Sequence, residues 1–220
     1  MDPRPRGGRR PAVRVRPPLP RLHAVTDERI ARRADLDDLA RELATGGGAD
    51  LALHARGHTL SGLEHYELAE RLRRYAPTLL FINDRLDIAL AVGAAGVQLT
   101  DGGLTPEAAR RLEPTWWIGA SVHGLAEAEA AQAGGADYLL VGPVFPTATH
   151  PGRAPLGLEG LREVVTLGLP VIAIGGVTAR NAREVREAGA HGAAAIRALW
   201  DATEPAAAAR QMLEALWKSS

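Results

Sequence analysis

The chain has 220 residues, 46% of them apolar, and its 26 basic side chains balance 26 acidic ones. That length suits one domain of about α/β-barrel size, and a net charge of zero argues against nucleic acid as a partner. No run of about 18 apolar residues exists to span a membrane; the absence of cysteine removes disulfides, thiolate metal sites and a thiol nucleophile; and the one lysine, Lys218 near the C-terminus, leaves Schiff-base chemistry without a candidate. The chain therefore reads as a cytoplasmic protein.

Residues 1–20 alternate arginines (Arg4, Arg6, Arg9, Arg10, Arg14, Arg16) with prolines and lack the apolar region of a secretory signal. They predict a disordered basic extension ahead of a domain over 21–220. From there β-rich runs alternate with helical patterns. A first strand is predicted over Leu22–Val25, then a helix over about 35–45 with Leu36, Leu39, Ala40 and Leu43 at helical spacing, ended by Gly46, Gly47 and Gly48. A second strand at Leu51–Ala55 precedes a helix over about 63–75, and a third at Thr78–Ile82 precedes one at Asp84–Val92. Gly96–Leu99 is the fourth strand, with Pro106 in the first turn of the next helix, where its missing N–H does no harm.

Trp116–Gly119 is the fifth strand, followed by a helix at about 124–134, and Asp137–Val141 is the sixth. A long proline-rich loop is expected over 142–156. Pro170–Ile174 is the seventh strand, with a helix at about 180–188, and Gly192–Ile196 the eighth, with a last helix at about 203–217. Eight such units, with short strands apolar on both faces, predict a closed (β/α)8 TIM barrel in a single domain. Polar residues collect at the C-terminal ends of the strands, where barrel chemistry sits: Arg56, His58, Asn83, Asp84, Ser121, His123, Thr147, Gly175 and Gly176.

These residues suggest roles. Gly175 and Gly176 let backbone N–H groups approach an anion, and the turn after strand eight, with Ala195, Ile196 and Arg197, completes the usual barrel phosphate site. Ser121 and His123 alternate onto one side, and histidine suits proton shuttling near neutral pH. His54, Arg56 and His58 alternate likewise, an arginine between histidines suiting an anionic substrate. Asn83 beside Asp84 suits a polar ligand or a magnesium–phosphate complex, while Asp84 is equally readable as the N-cap of the next helix. His23, His65 and His191 read as structural or surface residues, and Trp116 and Trp117 as barrel packing.

In order along the chain, Leu22-His23-Ala24-Val25-Thr26-Asp27, Ile82-Asn83-Asp84-Arg85, Ile118-Gly119-Ala120-Ser121-Val122-His123, Ala136-Asp137-Tyr138, Val141-Gly142-Pro143-Val144-Phe145-Pro146-Thr147 and Ala173-Ile174-Gly175-Gly176 resemble the thiamine phosphate synthase / TenI family over about residues 21–215. The resemblance implies a (β/α)8 barrel, often oligomeric, so a homodimer is expected. It also implies one of two activities. The synthase joins a pyrimidine pyrophosphate to a thiazole phosphate with magnesium; the TenI branch includes a tautomerase that aromatises a carboxylated thiazole phosphate without a metal.

Departures from the synthase pattern favour the tautomerase. Arg56-Gly57-His58 stands where synthases have Arg-Glu-Lys, Gly103 where they have a second magnesium aspartate, His150 where they have a lysine, and Arg197 where they have a serine. Ionising a pyrophosphate ester needs magnesium and fixed cations, and much of that apparatus is gone. The expectation is therefore a cofactor-free thiazole tautomerase acting on a small phosphorylated heterocycle. Arg56 would clamp the carboxylate with His54 or Asn83, His123 would move the proton, and Gly175, Gly176 and the 193–197 turn would hold the phosphate; Ser121 and Thr147 would also contact the substrate. The alternatives are an active synthase, with Asp84 holding magnesium, or a non-catalytic barrel that binds a phosphorylated ligand.

Overall fold

A computed structural model describes residues 16–76, 79–147 and 154–217. Eight parallel strands, β1 (Leu22–Val25), β2 (Leu51–Ala55), β3 (Leu80–Asn83), β4 (Gly96–Leu99), β5 (Trp117–Val122), β6 (Tyr138–Val141), β7 (Val171–Ile174) and β8 (Gly192–Ala195), close on themselves in chain order. Closure is made by β1, whose Leu22 pairs with Leu51 of β2 on one side and Ala193 of β8 on the other. The (β/α)8 barrel read from the sequence is the fold.

The helices are α1 (Glu28–Ala31), α2 (Leu36–Gly47), α3 (Gly62–Arg73), α4 (Leu86–Val92), α5 (Pro106–Leu112), α6 (Leu125–Ala133), α7 (Gly157–Val165), α8 (Ala182–Glu187), α9 (Arg197–Trp200) and α10 (Pro205–Trp217). Local chemistry sets several starts. Ser61 accepts from Glu64 N while the Glu64 side chain accepts from Ser61 N, a reciprocal capping box that opens α3. Thr105 caps α5 ahead of Pro106, as its sequence implies. Sequence periodicity passed over three helices. The four-residue α1 and α9 are too short to show a period, and α7 follows a loop rich in proline and glycine, although Leu161 and Val164 do bury one face.

Alternation along each strand builds two cores. Outward residues such as Leu22, Leu53, Ile82 and Ile118 meet the helices, including Leu36, Leu43, Leu72 and Trp200. Inward residues, among them Val25, Phe81, Tyr138, Ile172 and Ala194, fill the barrel. Each fully buried large apolar side chain contributes about 1.5–3 kcal/mol. Gly119 makes room inside: a Cβ there would lie 2.2 Å from Tyr138 Cζ.

Residues 16–20, placed by the sequence in the extension, pack against the bottom of the barrel. Trp117 Nε1 donates to Pro17 O at 2.9 Å, Arg16 pairs with Asp137 at 3.1 Å, and Leu19 joins the interior core. Residues 1–15 of the expected extension lie outside the described residues.

Candidate active site

A cavity of about 310 Å³ opens at the C-terminal ends of the strands. It brings together most residues singled out from the sequence: Arg56, Asn83, Ser121, His123, Thr147, Gly175, Gly176, Ala195, Ile196 and Arg197. His58, Thr100 and Asp101 line it as well. His150 lies outside the described residues.

The two glycines after β7 are there for shape. Gly175 has φ 90° and Gly176 φ 67°. A Cβ on Gly175 would fall 2.6 Å from Pro143 Cα, and one on Gly176 2.6 Å from Pro146 O. The strand thus turns tightly beneath the loop after β6, with Val144 N and Phe145 N donating to Ile174 O and Gly175 O. Across the mouth, the chain after β8 passes through Ile196 into α9, so Arg197 starts a short helix rather than the plain turn expected.

Arg56 sits half-buried at the end of β2 and donates from Nη2 to His58 Nε2. Burial pushes its pKa below the ordinary arginine value, against the opposing pull of Glu28, Asp27 and Asp84. Glu28 was not singled out from the sequence. Burial raises its carboxyl pKa, but backbone N–H donors, including those of Thr59 and His58, outweigh this and hold it below the usual value. The acidic surroundings keep a cation in place beside the cavity.

Two assignments change. His54, expected to touch substrate beside Arg56, does not line the cavity; it lies wholly buried one layer deeper, between His23 and Asn83. The reason is geometric: residues two apart on a strand share a face but differ in height by about 6.6 Å. Asp84 caps no helix, because α4 takes Arg85 as its N-cap without a side-chain bond. Instead Asp84 adopts φ 58°, and its Oδ1 accepts from Thr100 N at 2.8 Å and Thr100 Oγ1 at 2.9 Å, strapping β3 to the loop after β4. Gly103 lies beside it: a Cβ there would stand 3.5 Å from Asp84 Oδ1. An acidic residue at 103 would therefore have faced Asp84. Among the described residues no cluster of three or more histidine, cysteine or acidic side chains is placed to hold a metal.

Gln98 Nε2 donates to Ser121 Oγ at 2.9 Å, which leaves the hydroxyl of this cavity-lining serine its own proton to donate. His123 is held by Glu127, whose Oε2 accepts from both the His123 backbone N at 2.8 Å and the ring Nδ1 at 2.9 Å. With Nδ1 donating, Nε2 is the atom that remains for a ligand. Glu127 escaped the sequence reading, yet its spacing of four residues from His123 was the available signal. Glu127→Ala releases the ring and is expected to reduce turnover by about tenfold with little change in folding stability; an unchanged rate would show that the carboxylate does not orient His123.

Burial drives the pKa of His54 down from 6.5 to about 4 and that of His23 well below its ordinary value. Both rings are then neutral in the folded protein but take up protons when unfolded. The unfolded state binds more protons below pH 6.5, so stability is complete above that pH and is lost as pH falls toward about 4. His54 alone is expected to remove about 2 kcal/mol between pH 8 and pH 5. Urea midpoints at the two pH values measure this, and His54→Phe should remove that share while the contribution of His23 remains.

The profile described as thiamine monophosphate synthase matches residues 22–199. A thiamine-phosphate synthase of Pyrococcus furiosus is 41% identical over 188 residues, covering 84% of this chain and 88% of that one. One of Methanoculleus marisnigri is 42% identical over 197 residues, covering 87% and 92%. The solved thiamine phosphate pyrophosphorylase of Pyrococcus furiosus superimposes with a TM-score of 0.77 at 36% identity, covering 91% of this chain and 96% of that one.

Proposed function

We propose that this chain, which belongs to the thiamine monophosphate synthase family, is a thiamine-phosphate synthase that joins a pyrimidine pyrophosphate to a thiazole phosphate. The observation that carries the reading is identity of about 40% along most of the chain with proteins of that name. It reverses the preference drawn from the sequence, in which the tautomerase came first and the synthase second.

Magnesium fits the site in one form only. The ion is commonly held by one or two carboxylates together with substrate phosphate oxygens. Asp84 offers one carboxylate, oriented by Thr100, and Asp101 stands on the same loop at the cavity. When bound, the ion supplies charge neutralisation to the departing pyrophosphate. The chain's own groups do the remainder. Arg56 binds the anionic leaving group, the N–H groups of the Gly175–Gly176 turn and the 195–197 segment bind the thiazole phosphate, and Asn83, Ser121 and Thr147 orient the rings. His123 Nε2 holds the ligand at the rim. Membership of a homodimer and a cytoplasmic setting accompany this reading.

The missing carboxylate at Gly103 and the histidine at position 58 favour a second reading, the tautomerase, in which His123 moves a proton and no metal is needed. One pair of assays separates them. Incubation with pyrimidine pyrophosphate, thiazole phosphate and magnesium is expected to yield thiamine phosphate. Failure there, with aromatisation of the carboxythiazole phosphate in the absence of metal, would transfer the chain to the isomerase. Turnover of neither substrate would leave a ligand-binding barrel.

A further inference from the structure

Below the cavity, the barrel interior holds a chain of hydrogen bonds whose two histidines the proposed chemistry does not use. It starts at the Pro20 carbonyl, 3.0 Å from His23 Nε2, runs from His23 Nδ1 to His54 Nε2 at 2.8 Å, and ends at Asn83 Oδ1, 3.3 Å from His54 Nδ1. His23 and His54 are fully buried, and the His54 ring stacks on Phe81 at 9° with centroids 5.0 Å apart. Asn83 is the member that reaches the cavity.

Donor and acceptor rules fix the direction of this chain. A carbonyl only accepts, so His23 carries its proton on Nε2. A neutral imidazole has one N–H, so His23 Nδ1 accepts and His54 Nε2 donates to it. His54 Nδ1 is then an acceptor, and the group facing it must be a donor. Asn83 supplies one only by turning its amide so that Nδ2 points at His54.

The opposite direction fails. It would set an unprotonated His23 Nε2 against the Pro20 carbonyl, two buried acceptors face to face. Adding a second proton to a ring would rescue that contact, but burial disfavours the charged form of both rings. Turning Asn83 sacrifices nothing, because among the described residues its side chain makes no other hydrogen bond.

We propose that the His23–His54 pair is a positioning device that holds the Asn83 amide with its carbonyl oxygen toward the cavity, so that the site selects a ligand ring bearing an amino or N–H donor. The choice of ligand rests on the proposed heterocycle-binding function, whereas the wiring does not. Asn83 alone would rotate to suit a donor or an acceptor. Locked by the histidines, it rewards only a donor, and a ring that offers an acceptor leaves the carbonyl unpaired.

Two measurements test this. The first is a long-range ¹H–¹⁵N spectrum of the full chain, labelled at histidine, at neutral pH without ligand. His23 and His54 are both expected as Nε2–H tautomers; a proton on Nδ1 of either ring would overturn the wiring. The second compares binding of 4-aminopyrimidine and unsubstituted pyrimidine. The parent is expected to prefer the amino compound by about tenfold, and His54→Phe to bring the preference close to unity. A preference unchanged in His54→Phe would overturn the positioning role. Binding of neither probe by the parent would overturn the ligand class and with it this use of the proposed function, while the spectrum still decides the wiring without any variant having to fold.

Discussion

Gly175→Ala is expected to lower the folding stability by about 2–5 kcal/mol and to weaken binding of any phosphate-bearing ligand. Two physical terms add. A residue with a Cβ at φ 90° pays roughly 1–2 kcal/mol against its backbone preference. The new methyl would also stand 2.6 Å from both Cα and Cβ of Pro143, an overpacking that adds about 1–3 kcal/mol. Relief requires the loop after β6 to move, and that loop carries Thr147 into the cavity. Urea unfolding should show a lower midpoint at an unchanged slope. Gly134→Ala is the control: at φ −74° the contacts of a Cβ there are ordinary, from 3.4 Å outward. It should be neutral or slightly stabilising, because alanine restricts the unfolded chain. If both substitutions shift the midpoint equally, the turn after β7 is not the constraint described.

Arg56→Met is expected to reduce kcat/KM by about 10²–10³-fold, the range seen when one fixed donor to a developing charge is removed. The side chain is half-buried beside Glu28, Asp27 and Asp84, so the lost cation leaves these carboxylates uncompensated next to the cavity, where they disfavour an anionic substrate. Methionine keeps most of the volume, which separates charge from packing. Arg56→Lys should recover only part of the loss, since an ammonium cannot reproduce the planar pair of donors. Activity within about threefold of the parent in Arg56→Met would remove the arginine from its anion-binding role. The same variant distinguishes the two enzymatic readings poorly, because each substrate is anionic; the product assays make that distinction.

The substrate preference illustrates where reading residues one at a time falls short. Four departures from the synthase pattern, at His58, Gly103, His150 and Arg197, outweighed the shared landmarks in the sequence reading. Identity of about 40% with named synthases along most of the chain points the other way. The departures remain physical facts. Gly103 does leave space beside Asp84, and His58 does stand against Arg56 at the cavity. They bear on how well charge is neutralised, which is a quantity that a pattern match cannot supply.

Much of the architecture was legible in the sequence because it rests on local regularities. Short runs apolar on both faces, separated by helical periods, require a buried parallel sheet, and eight of them close. The strands Leu22–Val25, Leu51–Ala55 and Gly96–Leu99 stand where the pattern placed them. The polar strand ends identified the cavity for the same reason, since in a closed parallel barrel all C-terminal ends meet at one mouth.

Tertiary structure alone decided the depth and direction of each side chain. Alternation puts His54 and Arg56 on one face but does not tell which of them reaches the mouth, and the barrel's geometry buries the first and leaves the second at the cavity. It also turned Asp84 from a helix cap into a strap on Thr100, aligned Glu127 with His123, and placed residues 16–20 under the barrel as a floor. Each of these depends on distances between segments far apart in the chain or on a backbone angle that no period reveals. Composition and periodicity therefore determined the barrel and the end at which its cavity opens, while long-range packing determined which of the polar side chains line it.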